Sequence, residues 1–257
     1  MTGRTLVAPA KLTLSLLVTG VRADGYHELD AEMVTLSLAD ELVLDDGGAG
    51  LTVDGTAGAG SPVLGDPSQN LVVRALSAVQ RQAAVRLTKH IPPGAGLGGG
   101  SADAAAVLRW AGCGDLAVAA RLGSDVPFCL VGGRARVGGV GEVVVPLPHQ
   151  DRDYLLLLPP FGVPTAAVYR AWDDEPSEDG PNALTRAALR VEPRLARWRD
   201  ALGDLTGAEP ALAGSGSTWY VEISGGGDST FPPVLAVDDE QARTVRARAV
   251  PAGWEGD

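Results

Sequence analysis

The sequence predicts a globular chain of mixed strands and helices, built as one large domain or as two smaller ones sharing a cleft. Three observations carry this. The 257 residues are 45% hydrophobic and 21% charged, which is ordinary globular composition and excludes disorder as the main state. Alternating apolar and polar side chains fill much of the first 45 residues, as strands require. A glycine-rich stretch then leads into an alanine-rich run, Ala102 to Leu108, of strong helix-forming composition.

Taken in order, Leu6 to Leu17 alternates around Ala8-Pro9-Ala10-Lys11, and Glu32 to Leu38 and Glu41 to Leu44 repeat the pattern, giving a strand meander. Gly47 to Ser61, rich in Gly, Ala and Asp, reads as a loop or hairpin tip. Between Asn70 and Gln82, Leu71, Ala75, Leu76 and Val79 fall at helical spacing; Val85, Leu87 and Ile91 then alternate as a strand running into Pro92-Pro93. The alanine-rich helix ends near Gly112 to Gly114. A short helix at Leu116 to Leu122 follows, then an apolar run at Val126 to Val131 and a strand pair over Ala135 to Val145 about Gly138-Gly139. Pro146 to Asp151 reads as a domain junction, dividing residues 1–150 from residues 151–257. Beyond it Asp153 to Leu158 and Trp219 to Ile223 read as strands, and Asn182 to Leu189 and Leu195 to Leu202 as helices. Gly225 to Pro233 reads as a loop and Asp239 to Arg248 as a short final helix or helix-strand.

With 21 Lys plus Arg against 32 Asp plus Glu the net charge is −11, and no stretch gathers basic side chains with interleaved aromatics, so nucleic acid is excluded as a partner. No apolar run approaches the roughly 18 residues of a membrane helix; the densest, Tyr154 to Leu158, stops at Pro159-Pro160 and reads as a buried strand. The N-terminus lacks the apolar core of a secretory signal, which makes a soluble, cytoplasmic protein the expectation. Cys113 and Cys129 lack any ligand spacing and read as free thiols, and no metal site is assigned. Of the 21 basic residues 19 are Arg; Lys11 and Lys89 alone remain lysine, which marks them as places where a compact ammonium serves and a planar fork does not.

The most specific segment is Gly94-Ala95-Gly96-Leu97-Gly98-Gly99-Gly100-Ser101, running from a strand into a helix for which Ser101 is the expected N-cap. Five glycines in seven positions cost backbone entropy, and their use is close approach of a ligand to main-chain N–H groups at a helix start, an anion cradle. Gly94, Gly96 and Gly99 also satisfy the dinucleotide pattern, but no acidic residue closes a following parallel strand, and no Gly-Lys-Ser/Thr completes a Walker loop. A second Gly/Ser turn, Ala213 to Thr218, either binds phosphate or simply reverses the chain.

Four separated segments, Ala8 to Leu14 (APAKLTL), Arg22 to Leu29 (RADGYHEL), Ile91 to Ala105 (IPPGAGLGGGSADAA) and Leu122 to Phe128 (LGSDVPF), resemble the galactokinase, homoserine kinase, mevalonate kinase and phosphomevalonate kinase (GHMP) superfamily. Within it they are similar to the 4-diphosphocytidyl-2-C-methyl-D-erythritol kinase branch. The likeness covers most of residues 6 to 142, with weaker traces at Pro164 to Tyr169, Asn182 to Leu184 and Ala213 to Thr218. The resemblance implies an α+β, two-domain GHMP kinase fold: an N-terminal ATP-binding domain like the second domain of a small-subunit ribosomal protein, and an abbreviated C-terminal ferredoxin-like domain. It further implies ATP as phosphoryl donor, Mg2+ with no protein ligand assignable, a cytidine diphosphate-linked polyol as acceptor, and a monomer or homodimer.

Residue by residue, the resemblance places Asp125 as the base and Lys11 as its partner. Phosphoryl transfer needs positioning, charge neutralisation and an acceptor for the hydroxyl proton, and an ammonium beside Asp125 would help the hydroxyl lose that proton. The plainer readings are an Asp125 that caps a helix and a Lys11 that snorkels from an edge strand. ATP falls to Asn70, Lys89 and the loop Pro93, Gly94, Ala95, Gly96, Leu97, Gly98, Gly99, Gly100 and Ser101. Substrate falls to Thr13, Tyr26, His27, Thr165 and Tyr169, with Tyr26 and Tyr169 stacking on the two faces of a cytosine and His27 reading its edge. Thr13 stands where the superfamily branch usually has Asn. The competing functions are a kinase for another small alcohol and a nucleotide-binding regulator that has lost catalysis.

Overall fold

The computed structural model describes residues 3–55, 67–224 and 230–256. Two long strands open the chain, β1 (Arg4–Val21) and β2 (His27–Asp45), joined by the short turn that carries the Ala23-Asp24-Gly25-Tyr26 run. They form an antiparallel hairpin broken at Pro9, which has no N–H to give the ladder; the register jumps from Pro9 opposite Ala39 to Lys11 opposite Thr35. The other edge of β2 is shared by two strands, β4 (Ala84–Lys89) against Glu41 to Asp45 and β5 (Arg134–Gly139) against Leu29 to Val34. Outside them lie β3 (Gly50–Gly55), parallel to β4, and β6 (Val143–Leu147), antiparallel to β5.

The second sheet is antiparallel throughout, in the order β10 (Val234–Val237), β11 (Glu240–Arg248), β7 (Asp153–Leu158), β9 (Trp219–Ile223) and β8 (Ala211–Leu212). Its central strand β7 is buried on both faces, which explains an unbroken apolar run in place of alternation. Leu155 and Leu157 join one core with Trp198 and Leu202. Tyr154, Leu156 and Leu158 join another with Leu12, Leu36 and Leu97 of the first half, so the two sheets are packed through a shared interior. The chain's last described segment closes this contact: Ala249 bridges Leu36, and the Val250 N–H donates to the Thr35 carbonyl at 2.9 Å.

Four helices accompany the first sheet: α1 (Leu71–Ala78), α2 (Gly99–Trp110), α3 (Leu116–Leu122) and α4 (Val126–Val131). Three accompany the second: α5 (Thr165–Asp174), α6 (Thr185–Val191) and α7 (Leu195–Thr206).

Several expectations are corrected. Gly47 to Ser61 was expected as loop, yet Gly50–Gly55 is a strand: its polar, glycine-containing sequence is held by parallel pairing to β4, and residues 56–61 lie outside the described residues. Asp239 to Arg248 is no helix, because pairing with β7 overrides the helix-forming Gln, Ala and Arg side chains. Ser101 is not an N-cap. Gly98, in the left-handed conformation at φ 65°, turns the chain into α2 three residues earlier. Helix α6 starts at Thr185, later than Asn182, because the Asn182 Oδ1 accepts the Leu184 N–H and shapes the entry. Residues 225–229 of the expected Gly225 to Pro233 loop also lie outside the described residues.

Candidate active site

Between the two sheets lies a cleft of about 480 Å³ whose walls include Lys11, Thr13, Asn70, Lys89, the loop Pro93 to Ser101, Asp125, Thr165 and Tyr169. Thus 16 of the 18 sequence-predicted site residues come together here; Tyr26 and His27 do not line it.

The glycine loop is held by its carbonyls. Gly94 O accepts the Val163 and Ser217 N–H groups, Ala95 O accepts Thr218 N–H and Leu97 O accepts Lys11 N–H, all within 3.1 Å. The Lys11 amide is free to do this because Pro9 has broken the β1–β2 ladder just before it. The first-turn N–H groups of α2 have no side-chain cap and are left as donors for an anion. The second Gly/Ser turn therefore reverses the chain and braces the loop. Asn182, fully buried, fastens it in turn by donating to Leu212 O at 2.9 Å and Gly214 O at 2.7 Å.

Lys11 is 5% exposed. Its Nζ donates to Thr13 Oγ1 at 3.1 Å and lies 3.4 Å from Asp125 Oδ2. The Lys11 stem runs under Gly98, where a Cβ would come within 2.7 Å of the Lys11 Cγ. Asp125 stands at the start of α4 but makes no capping hydrogen bond, so its carboxylate is left to the cleft. The plainer readings of both residues, a cap and a snorkelling lysine, do not describe what they do. From β9, the Tyr220 hydroxyl donates to the carbonyls of Thr13 and Leu14 and steadies this stretch of β1.

Lys89 is engaged differently. Its ammonium is bound by Asp40 and by Asp103 Oδ2, the latter at 2.7 Å, while Asp40 Oδ1 also accepts the His90 and Ile91 N–H groups. Burial pulls the Lys89 pKa down, but the two carboxylates outweigh it and hold the ammonium charged. Asp103 is pushed up to about 7 by burial, with Lys89 opposing and Asp40 adding to the rise. Asn70 caps α1, its Oδ1 accepting the Val72 N–H at 2.9 Å.

At the other end of the cleft, the Tyr169 ring stacks at 4.6 Å on His27, which also meets the Trp172 ring edge-on. His27 Nε2 is 2.6 Å from Asp173 Oδ1. Burial and then the Asp125 charge push the Tyr169 phenol well above its ordinary range, so it stays neutral. Thr165 Oγ1 hydrogen-bonds Ser215 Oγ at 2.9 Å.

The family model described as GHMP kinases N terminal domain matches residues 70–133. A relative from Paracoccus denitrificans, named 4-diphosphocytidyl-2-C-methyl-D-erythritol kinase, is 36% identical over 96% of this chain and 93% of its own. The chain belongs to the 4-diphosphocytidyl-2-C-methyl-D-erythritol kinase family. A family member of the same name from Pelotomaculum thermopropionicum is 35% identical over 95% of this chain and 93% of its own. The crystal structure of a 4-(cytidine 5'-diphospho)-2C-methyl-D-erythritol kinase superposes with a TM-score of 0.68 at 34% identity, covering 87% of this chain and 91% of that one. A Methanococcus jannaschii mevalonate kinase matches with a TM-score of 0.61 at 12% identity over 97% of this chain and 99% of that one, a likeness of fold. The α+β GHMP kinase fold is thereby established for this family member.

Tyr26, expected on one face of a cytosine with Tyr169 on the other, is 62% exposed on the turn between β1 and β2, and the ring beside Tyr169 is that of His27. Residues that the sequence reading missed are Asp40, Asp103, Trp172, Asp173 and Ser215. For Asp173 a signal was present: Tyr169 and Asp173 are four apart, as on one helix face, but α5 itself was not recognised.

Proposed function

We propose that the chain transfers the γ-phosphoryl group of ATP to the 2-hydroxyl of 4-diphosphocytidyl-2-C-methyl-D-erythritol, in the non-mevalonate route to isoprenoid precursors. The observation that carries the reading is the Lys11–Asp125 pair at 3.4 Å, set beside an uncapped helix start in one cleft. In it, the phosphates of ATP lie on the N–H groups of Gly98 to Ser101, where the helix dipole favours negative charge. Asp125 accepts the hydroxyl proton as the phosphoryl group moves, and Lys11 balances the charge around that carboxylate. Thr13 orients Lys11 through its hydroxyl. Tyr169 and His27 take the cytosine, and Thr165, whose hydroxyl is hydrogen-bonded to Ser215, lines the cleft with Tyr169 as a further substrate contact.

Among the described residues no group of three or more His, Cys, Asp or Glu could hold a metal ion by itself. A magnesium ion would be bound here mainly by phosphate oxygens, and Ser101 and Asp125, which line the cleft, are the side chains that would meet it; such an ion neutralises phosphate charge. The reading also takes residues 1–150 as a ribosomal-protein-like ATP-binding domain and 151–257 as a shortened ferredoxin-like domain, in a cytoplasmic monomer or homodimer.

The test is ADP production with the cytidyl substrate, mevalonate and homoserine in parallel. The cytidyl compound should be used at least about 100-fold more efficiently, and equal use of the three would overturn the substrate. Asp125→Asn should lower kcat by about 10²- to 10⁴-fold with ATP binding kept. Loss of ATP binding in that variant would make Asp125 a structural residue.

A further inference from the structure

The mechanism above gives no part to the three charged side chains behind the glycine loop, Asp40, Lys89 and Asp103. The β2–β4 ladder ends with Glu41 opposite Thr88, and just past it the fully buried Asp40 side chain takes over. Its Oδ1 accepts the N–H groups of His90 at 2.5 Å and Ile91 at 2.9 Å, the two residues from which the chain enters Pro92-Pro93 and the loop. Its Oδ2 holds the Lys89 ammonium, which donates in turn to Asp103 Oδ2 at 2.7 Å, on α2 beyond the loop. One carboxylate therefore holds the entry to the loop directly and its exit through a single ammonium. The fit is close, for a Cβ on Gly99, the first residue of α2, would stand 2.9 Å from Ile91 Cγ2 and 3.1 Å from Lys89 Nζ.

With two carboxylates around one ammonium, this cluster presents no net positive charge to a phosphate, so its use to the nucleotide is geometric. We propose that Asp40 is a positioning residue for ATP: with one oxygen on the loop's entry and the other on Lys89, it fixes the separation of the two ends of the glycine loop, and with it the placement of the amides that receive the phosphates. The inference deepens the proposed function and rests on its placing of ATP on this loop. A loop held in this way before the nucleotide arrives has less freedom to lose on binding. Asp103 has the smaller share. Its Oδ1 is buried without a hydrogen-bond partner, so one of its oxygens is in use where both of Asp40's are.

The experiment measures the Kd of ATP, without the second substrate, in the parent, Asp40→Asn and Asp103→Asn. An amide has one acceptor oxygen, which suffices at position 103 and fails at position 40. Whichever way the amide at position 40 turns, its NH₂ faces either the loop N–H groups or the ammonium. Asp40→Asn should raise the Kd of ATP about 10-fold or more while KM for the cytidyl compound at saturating ATP stays within about twofold, and Asp103→Asn should leave both within about threefold. Equal effects of the two variants on ATP, or a parallel rise for both substrates in Asp40→Asn, would overturn the inference; a parent that does not bind ATP would overturn the reading beneath it. Should Asp40→Asn not fold, hydrogen exchange in the nucleotide-free parent decides. Slow exchange of the His90 and Ile91 amides is expected, and exchange there as fast as in an open loop would defeat the proposal.

Discussion

Lys11 and Lys89 are the two lysines of the chain, and both ammonium groups face the cleft. The space explains why neither position accommodates the arginine used elsewhere. Lys11 threads beneath Gly98 to bring one compact charge to Asp125 and Thr13, and a planar fork would need room that the loop backbone occupies. Lys11→Arg should therefore lower kcat by about 100-fold or more and lower the melting midpoint as well, with the loss of turnover larger than the unfolded fraction explains, measured by steady-state kinetics beside thermal melting. Lys89 is locked between two buried carboxylates, one of which carries a pH signature. Asp103 titrates near 7 when folded against an ordinary 3.8, so between those values the folded chain holds a proton that the unfolded chain lacks. Through this group stability rises as pH falls from about 7 towards 4, by up to about 1.4 kcal/mol per pH unit. Asp103→Asn should flatten that slope in denaturant titrations from pH 5 to 8; equal slopes in parent and variant would refute it.

The glycine loop works as an element because the carbonyls of Gly94, Ala95 and Leu97 are bound behind it, leaving the amides at the start of α2 to the front. Gly96, at φ 77°, approaches Ala213 so closely that a Cβ would strike the carbonyl oxygen. Gly96→Ala should separate the loop from its brace, raising KM for ATP about 10-fold or more and lowering stability by about 1–3 kcal/mol, read by nucleotide titration and chemical unfolding. The loop and the helix after it were legible in the sequence because glycine at that density has few other uses. So was α1, through the spacing of its apolar residues, although the cap that Asn70 provides was not. Helix α5 escaped notice because its buried positions are just two, Val168 and Trp172, and its last residues are acidic, against the dipole. Strands β3 and β11 were illegible for the opposite reason: their local preference is not for strand, and pairing with distant residues decides them.

At the scale of the whole molecule, sequence revealed the parts of the cleft but not how they meet. The Lys11–Asp125 pair spans more than a hundred residues of chain, and its closeness follows from a broken ladder at Pro9 that no composition rule announces. On its other edge β2 is left open between Val34, where β5 stops, and Glu41, where β4 begins, and there Thr35 and Leu36 take a later partner, Ala249 and Val250, which arrive after every other described strand has been placed. The two sheets also share a core built from Leu12, Leu36 and Leu97 on one side and Tyr154, Leu156 and Leu158 on the other. Thermal unfolding should accordingly be a single transition, and removal of residues 249–257 should lower its midpoint by several degrees without splitting it. Two resolved transitions in the intact chain would contradict this.

The seam at Thr35 bears on how the chain is made. A ribosome releases β1 and β2 well before Ala249 and Val250, so Lys11 emerges into a sheet that still has an open place in its middle. Nascent chains long enough to expose both cleft walls, but stalled before residue 249, should be attacked by protease near Thr35 and protected there once the final segment is out. Arrival of Ala249 and Val250, rather than pairing of the strands before them, is then the event that closes this seam.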